Sequence, residues 1–245
     1  MPPQSGYTQN VPLTARFFIR NECPQSINGS QMSQLFSDSD SQVLADIIRL
    51  RRDVRGNRFN DNPVSQATID SLLNAAMQAP SVGYSQPWQF VVIRDLATKK
   101  AVQQTFVEEN AAGSLQFSGE KRAQYDALKL EGIIEAPVNL AVFYQPSTEA
   151  VLGQTSMPEM GKFSVVCAIQ NLWLMARSLN IGVGWVSILD PIKVKKILNA
   201  PSSSELIGYL CIGYVDEFLA EPELKQTGWQ QTKSAAQTVF KEQFD

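Results

Sequence analysis

Three stretches of the chain carry residue types that could do chemistry. The first is RLRRDVRGNR, where Arg49, Arg51, Arg52, Arg55 and Arg58 place five cationic side chains in ten positions around one carboxylate, Asp53. Guanidinium forks match phosphate oxygens, and Arg51 and Arg55 would share a face one turn apart if a helix ran through them. The bland alternatives are a solvated basic face or a nucleic-acid patch. Asp53 counts against the patch, because arginines favour its charged form and a carboxylate weakens attraction for a polyanion. The second stretch is APSVGYSQPW (79–88), whose prolines and glycine could turn successive backbone N–H groups and Ser hydroxyls toward a polar ring or a phosphate. Alone, it is an ordinary loop before a strand. The third is GVGWVSILD (182–190), where two glycines admit a close backbone approach and Ser187 offers a hydroxyl. Alone, it is a glycine-containing core strand.

What the chain lacks narrows the chemistry. Its 245 residues contain no histidine, so Ser-His-Asp triads, Cys-His pairs and HExxH zinc sites are excluded. Acid-base work must fall to Asp, Glu, Lys, Tyr, water or a cofactor. Cys23, Cys167 and Cys211 are odd in number and outside any CxxC pattern, which disfavours a disulfide framework or a zinc site. Cys167 and Cys211 lie in apolar runs and are expected to be buried as small hydrophobes. No Walker A or GxGxxG pattern is present, which disfavours a P-loop or a Rossmann nicotinamide site. Taken together, an arginine cluster, a Ser/Gln-lined turn and a Gly-rich strand suit a nucleotide-like cofactor, and without histidine or metal ligands a flavin is the economical choice. The net charge of −3 argues against a nucleic-acid partner. With no apolar run long enough to span a membrane and no secretory signal at the N-terminus, the expected compartment is the cytoplasm.

The elements that must position these residues read as follows. Residues 1–36 are rich in Gln, Ser, Asn and Pro and are expected to be a weakly ordered leader, or an arm on a partner subunit given Phe17, Phe18 and Ile19. Residues 37–245 are expected to form a single domain. Ser37, Asp38 or Ser39 can cap a helix through about Arg52. A second helix has Ser65 as cap, an apolar set at Ile69, Leu72, Leu73 and Ala76, and a stop at Pro80. Strands are expected at WQFVVIRD, at APVNLAVFY (136–144), within IGVGWVSIL (181–189) and at ELIGYLCIGY (205–214). Residues 98–130 read as polar helix broken at Gly113 and Gly119, which suits a mobile flap. GKFSVVCAIQNLWLMARSLN (161–180) reads as a helix nearly apolar all round, buried at the centre of a domain or dimer, and Pro191 starts another short helix. Helices and strands without βαβ alternation predict an α+β fold with a helix-covered mixed sheet.

RRDVR, then APSVGxxQPW, KLEG (129–132), SVVCAIQNLWL, GVGWVSILDP and YLCIGY, in this order, closely resemble the nitroreductase-like flavoproteins, in particular their 5,6-dimethylbenzimidazole synthase branch. The likeness spans roughly residues 40 to 230. The arginine motif and the PSxxxxQPW loop are shared across the family, whereas Asp53, GVGWVS and KLEG carry the branch. The resemblance implies an interlocked FMN-binding homodimer with two sites at the subunit interface. It also implies O2-dependent fragmentation of reduced FMN, as substrate, to 5,6-dimethylbenzimidazole, the lower ligand of cobalamin, and erythrose 4-phosphate. A separate flavin reductase would supply the reduced FMN. By motif match, Arg51, Arg52, Asp53, Val54 and Arg55 would bind the flavin, Pro80 and Ser81 would lie along its ring, and Lys129 would approach from the flap. Val186 and Ser187 would line the isoalloxazine. Asp53 and Ser187 are the expected catalytic pair, Asp53 moving a proton near the first ribityl carbon. In the blander reading Asp53 only orients its arginines and Ser187 only positions the flavin. The alternatives for the whole protein are an NAD(P)H-dependent flavin or nitroaromatic reductase and a non-catalytic flavin-binding protein.

Overall fold

The run VNLAVFY contains no charged residue, and all of it is buried in the strand Val138–Tyr144. A strand reads this way when helices cover both of its faces. In the computed structural model, which describes residues 35–244, this strand is β2. The leader expected over 1–36 falls outside the described residues except for its last two positions, and Cys23 falls outside with it. Contacts group Ser39–Asp245 as one unit.

The elements in chain order are α1 (Asp38–Leu50), α2 (Gln66–Met77), β1 (Trp88–Ile93), α3 (Leu96–Ser114), α4 (Gly119–Asp126), β2, α5 (Met160–Ser178), β3 (Ile181–Val186), α6 (Pro191–Ile197), β4 (Glu205–Tyr214) and α7 (Glu223–Gln226). The strands pair in the order β1-β2-β4-β3, every pair antiparallel. The α+β architecture is as expected, but the parallel element of the predicted mixed sheet shrinks to one bridge, Asp53 to Val183. Alternate residues of β2 point to opposite faces. Val138, Leu140 and Val142 pack with Ile69, Leu72 and Ala76 of α2 and with Val165, Ile169 and Leu172 of α5. Ala141 and Phe143 pack on the other face with Val102 and Phe106 of α3 and Val194 of α6. Local chemistry sets the helix starts. Ser65 accepts from the Thr68 N–H at 3.1 Å, and Asp190 accepts from Ile192 and Lys193 with Pro191 at the first helical position.

Three expectations are corrected. Helix α1 stops at Leu50 rather than near Arg52. The reason is competition: Asp53 and Val54 pair with β3, Arg52 Nη1 donates to the Arg49 carbonyl at 2.8 Å, and Arg177 Nε donates to the Leu50 carbonyl at 3.0 Å. The stretch 98–130 is not all flap. Helix α3 buries Lys99, Val102, Thr105 and Phe106, and the Lys99 ammonium donates to the carbonyls of Ile134 at 3.2 Å and Ala136 at 2.6 Å, so a core-facing lysine disguised the buried face. Only α4 keeps a mostly exposed surface. Helix α5 leaves Phe163, Val166 and Cys167 exposed, so Cys167 is not the buried hydrophobe expected, whereas Cys211 is buried. No helix among the described residues is long and apolar enough to cross a membrane.

The placement of α3 in the core gives a direct expectation. Phe106→Ala removes a ring packed beneath β2 and should lower unfolding free energy by about 3 kcal/mol in urea titrations. A helix belonging to a mobile flap would show a change within about 0.5 kcal/mol.

Candidate functional site

The site grows from a short extended segment laid along the edge of β3. Val54 N–H donates to the Val183 carbonyl at 3.0 Å, and Asp53 bridges Val183 in parallel sense. Such an approach requires Gly184, where a Cβ would stand 2.1 Å from the Val54 carbonyl oxygen. In extended chain, successive side chains diverge. Arg51, Asp53 and Arg55 therefore fall to one side and Arg52 to the other. The two arginines foreseen one helical turn apart instead flank Asp53 along an extended segment.

Asp53 is held at both oxygens. Trp185 N–H donates to Oδ1 at 2.9 Å, and Arg55 Nη2 lies 2.5 Å from Oδ2. Burial nonetheless dominates and raises the carboxyl above its usual range, against Arg55, the Trp185 N–H and Arg51; Glu223 adds to the rise. The guanidinium of Arg51 stacks 4.6 Å over the Trp173 ring and makes no hydrogen bond or ion pair with any described residue. Burial lowers its affinity for the proton, Asp53 opposing and Arg52 adding, while an arginine still stays charged. Arg52 is placed differently from its expected role. Its guanidinium donates to the carbonyls of Arg49, Arg51, Leu219 and Ala220, which makes it a tether.

The KLEG segment closes on the same group. Arg55 Nη1 donates to the Leu130 carbonyl at 3.1 Å, and Gly56 N–H donates to the Glu131 carbonyl at 2.9 Å. Lys129 is paired twice, at 2.7 Å to Glu131 and at 2.7 Å to Glu135. Burial works against its charge, but these hydrogen bonds outweigh it and hold Lys129 above the usual lysine value. Glu131 is buried, its second oxygen accepting from Ile133 N–H at 2.6 Å.

Along β3, Val186 is buried and Ser187 is exposed, two residues and so about 7 Å beyond the Trp185 N–H that holds Asp53. Pro80 and Ser81 lie elsewhere. Their loop is fastened by Val82 N–H to Ser164 Oγ at 3.1 Å, near the start of α5, whereas the arginine segment is fastened by Trp173 Nε1 to the Arg52 carbonyl at 3.3 Å. Nine helical positions separate the two anchors, about 13 Å. Within one chain Asp53, Arg55 and the segment 129–131 are joined by hydrogen bonds and ion pairs, and no hydrogen bond or ion pair among the described residues joins Pro80 or Ser81 to them.

Residues 48–214 match the model of the nitroreductase family. The chain belongs to the nitroreductase family. It is 44% identical to a 5,6-dimethylbenzimidazole synthase of Rhodospirillum rubrum over 80% of this chain and 93% of that one. It is 40% identical to a synthase of the same name from Rhodobacter capsulatus, over 80% and 95%. Among solved structures, an oxidized iodotyrosine deiodinase bound to FMN and 3-iodo-L-tyrosine superposes with a TM-score of 0.65 at 21% identity, over 82% of this chain and 100% of that one.

The residues of this nitroreductase-family chain fit a flavin phosphate ester. Arg51 has an uncommitted fork, Ser187 an exposed hydroxyl, and a glycine-lined strand permits close contact with a flat ring. No cluster of three or more His, Cys, Asp or Glu suited to a metal ion occurs among the described residues. Sequence reasoning missed the supports. The Trp185 donor is a backbone group and leaves no side-chain signal, although Gly184 beside it did. Glu131 stood inside the quoted KLEG motif, and Glu135 lay three residues past its end. Trp173 stood inside the quoted SVVCAIQNLWL motif, but nothing in the sequence pointed to its contact with Arg51, more than a hundred positions away.

The environment of Asp53 makes stability depend on pH in a defined sense. The folded chain holds this proton more tightly than the unfolded chain, whose carboxyl titrates near 3.8. The associated stability is therefore fully present below that value and is lost as pH rises through the higher native pKa. Urea midpoints of the wild type and of Asp53→Asn, measured from pH 3.5 to 8, should show the wild type losing ground to the variant with rising pH and then a constant difference. A wild type that gains on the variant across the same range would mean that ion pairing outweighs burial.

Proposed function

We propose that the protein is a 5,6-dimethylbenzimidazole synthase that fragments reduced FMN with O2 to 5,6-dimethylbenzimidazole and erythrose 4-phosphate, the former for the lower ligand of cobalamin. The observation that carries this reading is Asp53, a carboxyl with burial-raised proton affinity set among cations that suit a flavin phosphate, in a chain 44% identical to a curated synthase. A flavin or nitroaromatic reductase has no use for an acid beside the sugar chain, and a flavin store has none either.

Reduced FMN, when bound, supplies the electrons for O2 and the carbon skeleton of the product. The remaining work falls to the chain. Arg51, whose guanidinium makes no hydrogen bond or ion pair among the described residues, binds phosphate, while Arg55 orients Asp53. Asp53 lies against the ribityl chain and accepts and returns a proton there, a role that its burial-raised proton affinity supports. Ser187 supplies a hydroxyl at the ring edge, and Val54 and Val186 give apolar walls. Lys129, already charged and held by Glu131 and Glu135, approaches the flavin from the flap side. A separate flavin reductase delivers the reduced FMN, in keeping with the synthase reading, and the reaction runs in the cytoplasm.

The site is completed by a second copy of the chain, whose Pro80 and Ser81 close on the ring. Two features support this: the separation of those residues from Asp53 within one chain, and the exposed apolar residues Val43, Leu44 and Ile48 on α1 with Phe163 and Val166 on α5. Val166→Glu should convert a dimer to a monomer in sedimentation and weaken FMN binding about tenfold or more. A variant that dissociates but retains FMN affinity would show that one chain suffices.

The activity itself is tested by mixing the protein with chemically reduced FMN in air and measuring 5,6-dimethylbenzimidazole by mass spectrometry. Wild type should form it. Asp53→Asn should bind FMN within about threefold of wild type and lose product by about a hundredfold or more. Simple reoxidation to FMN by the wild type would favour the reductase reading, and unchanged yield from the variant would remove Asp53 from the chemistry.

A further inference from the structure

The chain beyond β4 does not trail away from the site. Arg52 donates to the carbonyls of Leu219 and Ala220, and Arg177 stacks 4.1 Å over the Phe218 ring. Glu223 Oε1 lies 3.5 Å from Arg58 Nη2. The same segment then runs on to α4. Gln124 Nε2 donates to the Thr227 carbonyl at 2.7 Å, and Lys121 Nζ donates to the Trp229 carbonyl at 3.1 Å. Lys121 Nζ also lies 3.6 Å over the Trp229 ring. The indole meets Phe117 edge-on at 5.2 Å and Tyr125 at 6.1 Å, while Phe117 and Tyr125 stack at 5.1 Å.

We infer that residues 219–229 form a strap joining the arginine segment to α4, and that Trp229 is a positioning residue for the reaction, fixing α4 and the Lys129 segment that follows it. The effect on chemistry rests on the synthase reading above. Helix α4 has few core contacts of its own, Tyr125 being its one buried residue, so its order depends on what covers it. Lys129 begins three residues after α4 ends, and Leu130 and Glu131 are bonded directly to Arg55 and Gly56. A strap that pins the far end of α4 therefore keeps this segment seated over Asp53. If it lifts, water reaches the reacting centre, and the competing route gains: two electrons and two protons pass from reduced FMN to O2, giving FMN and H2O2.

Trp229 is suited to mutation because neither apolar layer of the sheet includes a residue beyond Tyr214. In the full-length protein, Trp229→Ala should raise amide exchange in 119–131 about tenfold while leaving β2 and β4 unchanged. With reduced FMN in air it should lower the ratio of 5,6-dimethylbenzimidazole to H2O2 about tenfold. Trp229→Phe, which keeps an aromatic edge against Phe117 and Tyr125, should restore more than half of both. Unaltered exchange in 119–131 overturns the strap, and faster exchange with an unaltered product ratio overturns the positioning role. If the wild type forms no benzimidazole, the synthase reading fails by itself, and the strap then stands or falls on the exchange rates and on whether Trp229→Ala releases FMN faster.

Discussion

The structure depends on one close approach, the Val54 backbone against Gly184 at the edge of β3. Without a side chain at Gly184 the segment 51–56 can pair with the sheet, and with one it cannot, because the Cβ would fall 2.1 Å from a carbonyl oxygen. The consequences run outward from that contact. Pairing ends α1 at Leu50, sets Arg51 and Asp53 on one side of the chain, and brings Asp53 to the Trp185 N–H. It also places Gly56 where its N–H meets the Glu131 carbonyl, so KLEG is seated by the same event. A sheet edge, ordinarily a liability, is used here as the frame of a site.

Helix α5 separates the anchors of the two loops proposed for the site. Its second turn holds the Pro80–Ser81 loop through Ser164, and its fourth holds the arginine segment through Trp173. A rigid helix holds its two anchors about 13 Å apart, which under the proposed reading leaves room for a second chain to contribute one side of the site. The same helix leaves Phe163 and Val166 exposed between those anchors, where a second copy would contribute. Its apolar composition thus divides between a core face and an outer face.

Much of the fold was legible because its signals are local. The cap at Ser65, the helix start at Pro191 and the uncharged run of β2 depend on neighbours in sequence. The errors came where tertiary contacts overrode a local pattern. Lys99 reads as solvent-facing, yet it reaches two carbonyls from a buried stem. Arg51 and Arg55 were grouped through a helical period, although an extended chain, with a period of two, is what aligns them. That period also separates Arg52, which the sequence could not distinguish from Arg51 because identical side chains acquire different tasks only from the direction in which they point. Trp185 and Trp173 stand inside quoted motifs, but their contacts with Asp53 and Arg51 are made by a backbone N–H or across long sequence separation, and no local pattern betrays them.

Asp53 shows why such supports matter to the proposed reaction. A carboxylate fully satisfied by ion pairs would remain ionised and have little reason to take a proton, whereas one buried without partners would be neutral and have little reason to release it. Here burial wins over one guanidinium and one backbone N–H, and the second cation, Arg51, is turned toward Trp173 and has no bond to the carboxyl. The proton affinity is thereby raised without the geometry being loosened, since both oxygens remain fixed. Under the role proposed for Arg51, an anionic phosphate there would partly neutralise the cation's pull on Asp53 and raise the carboxyl's affinity further. Substrate binding itself would then prepare the base to hold a proton beside the sugar chain, a coupling that follows from placing the phosphate anchor and the acid on the same side of one extended strand.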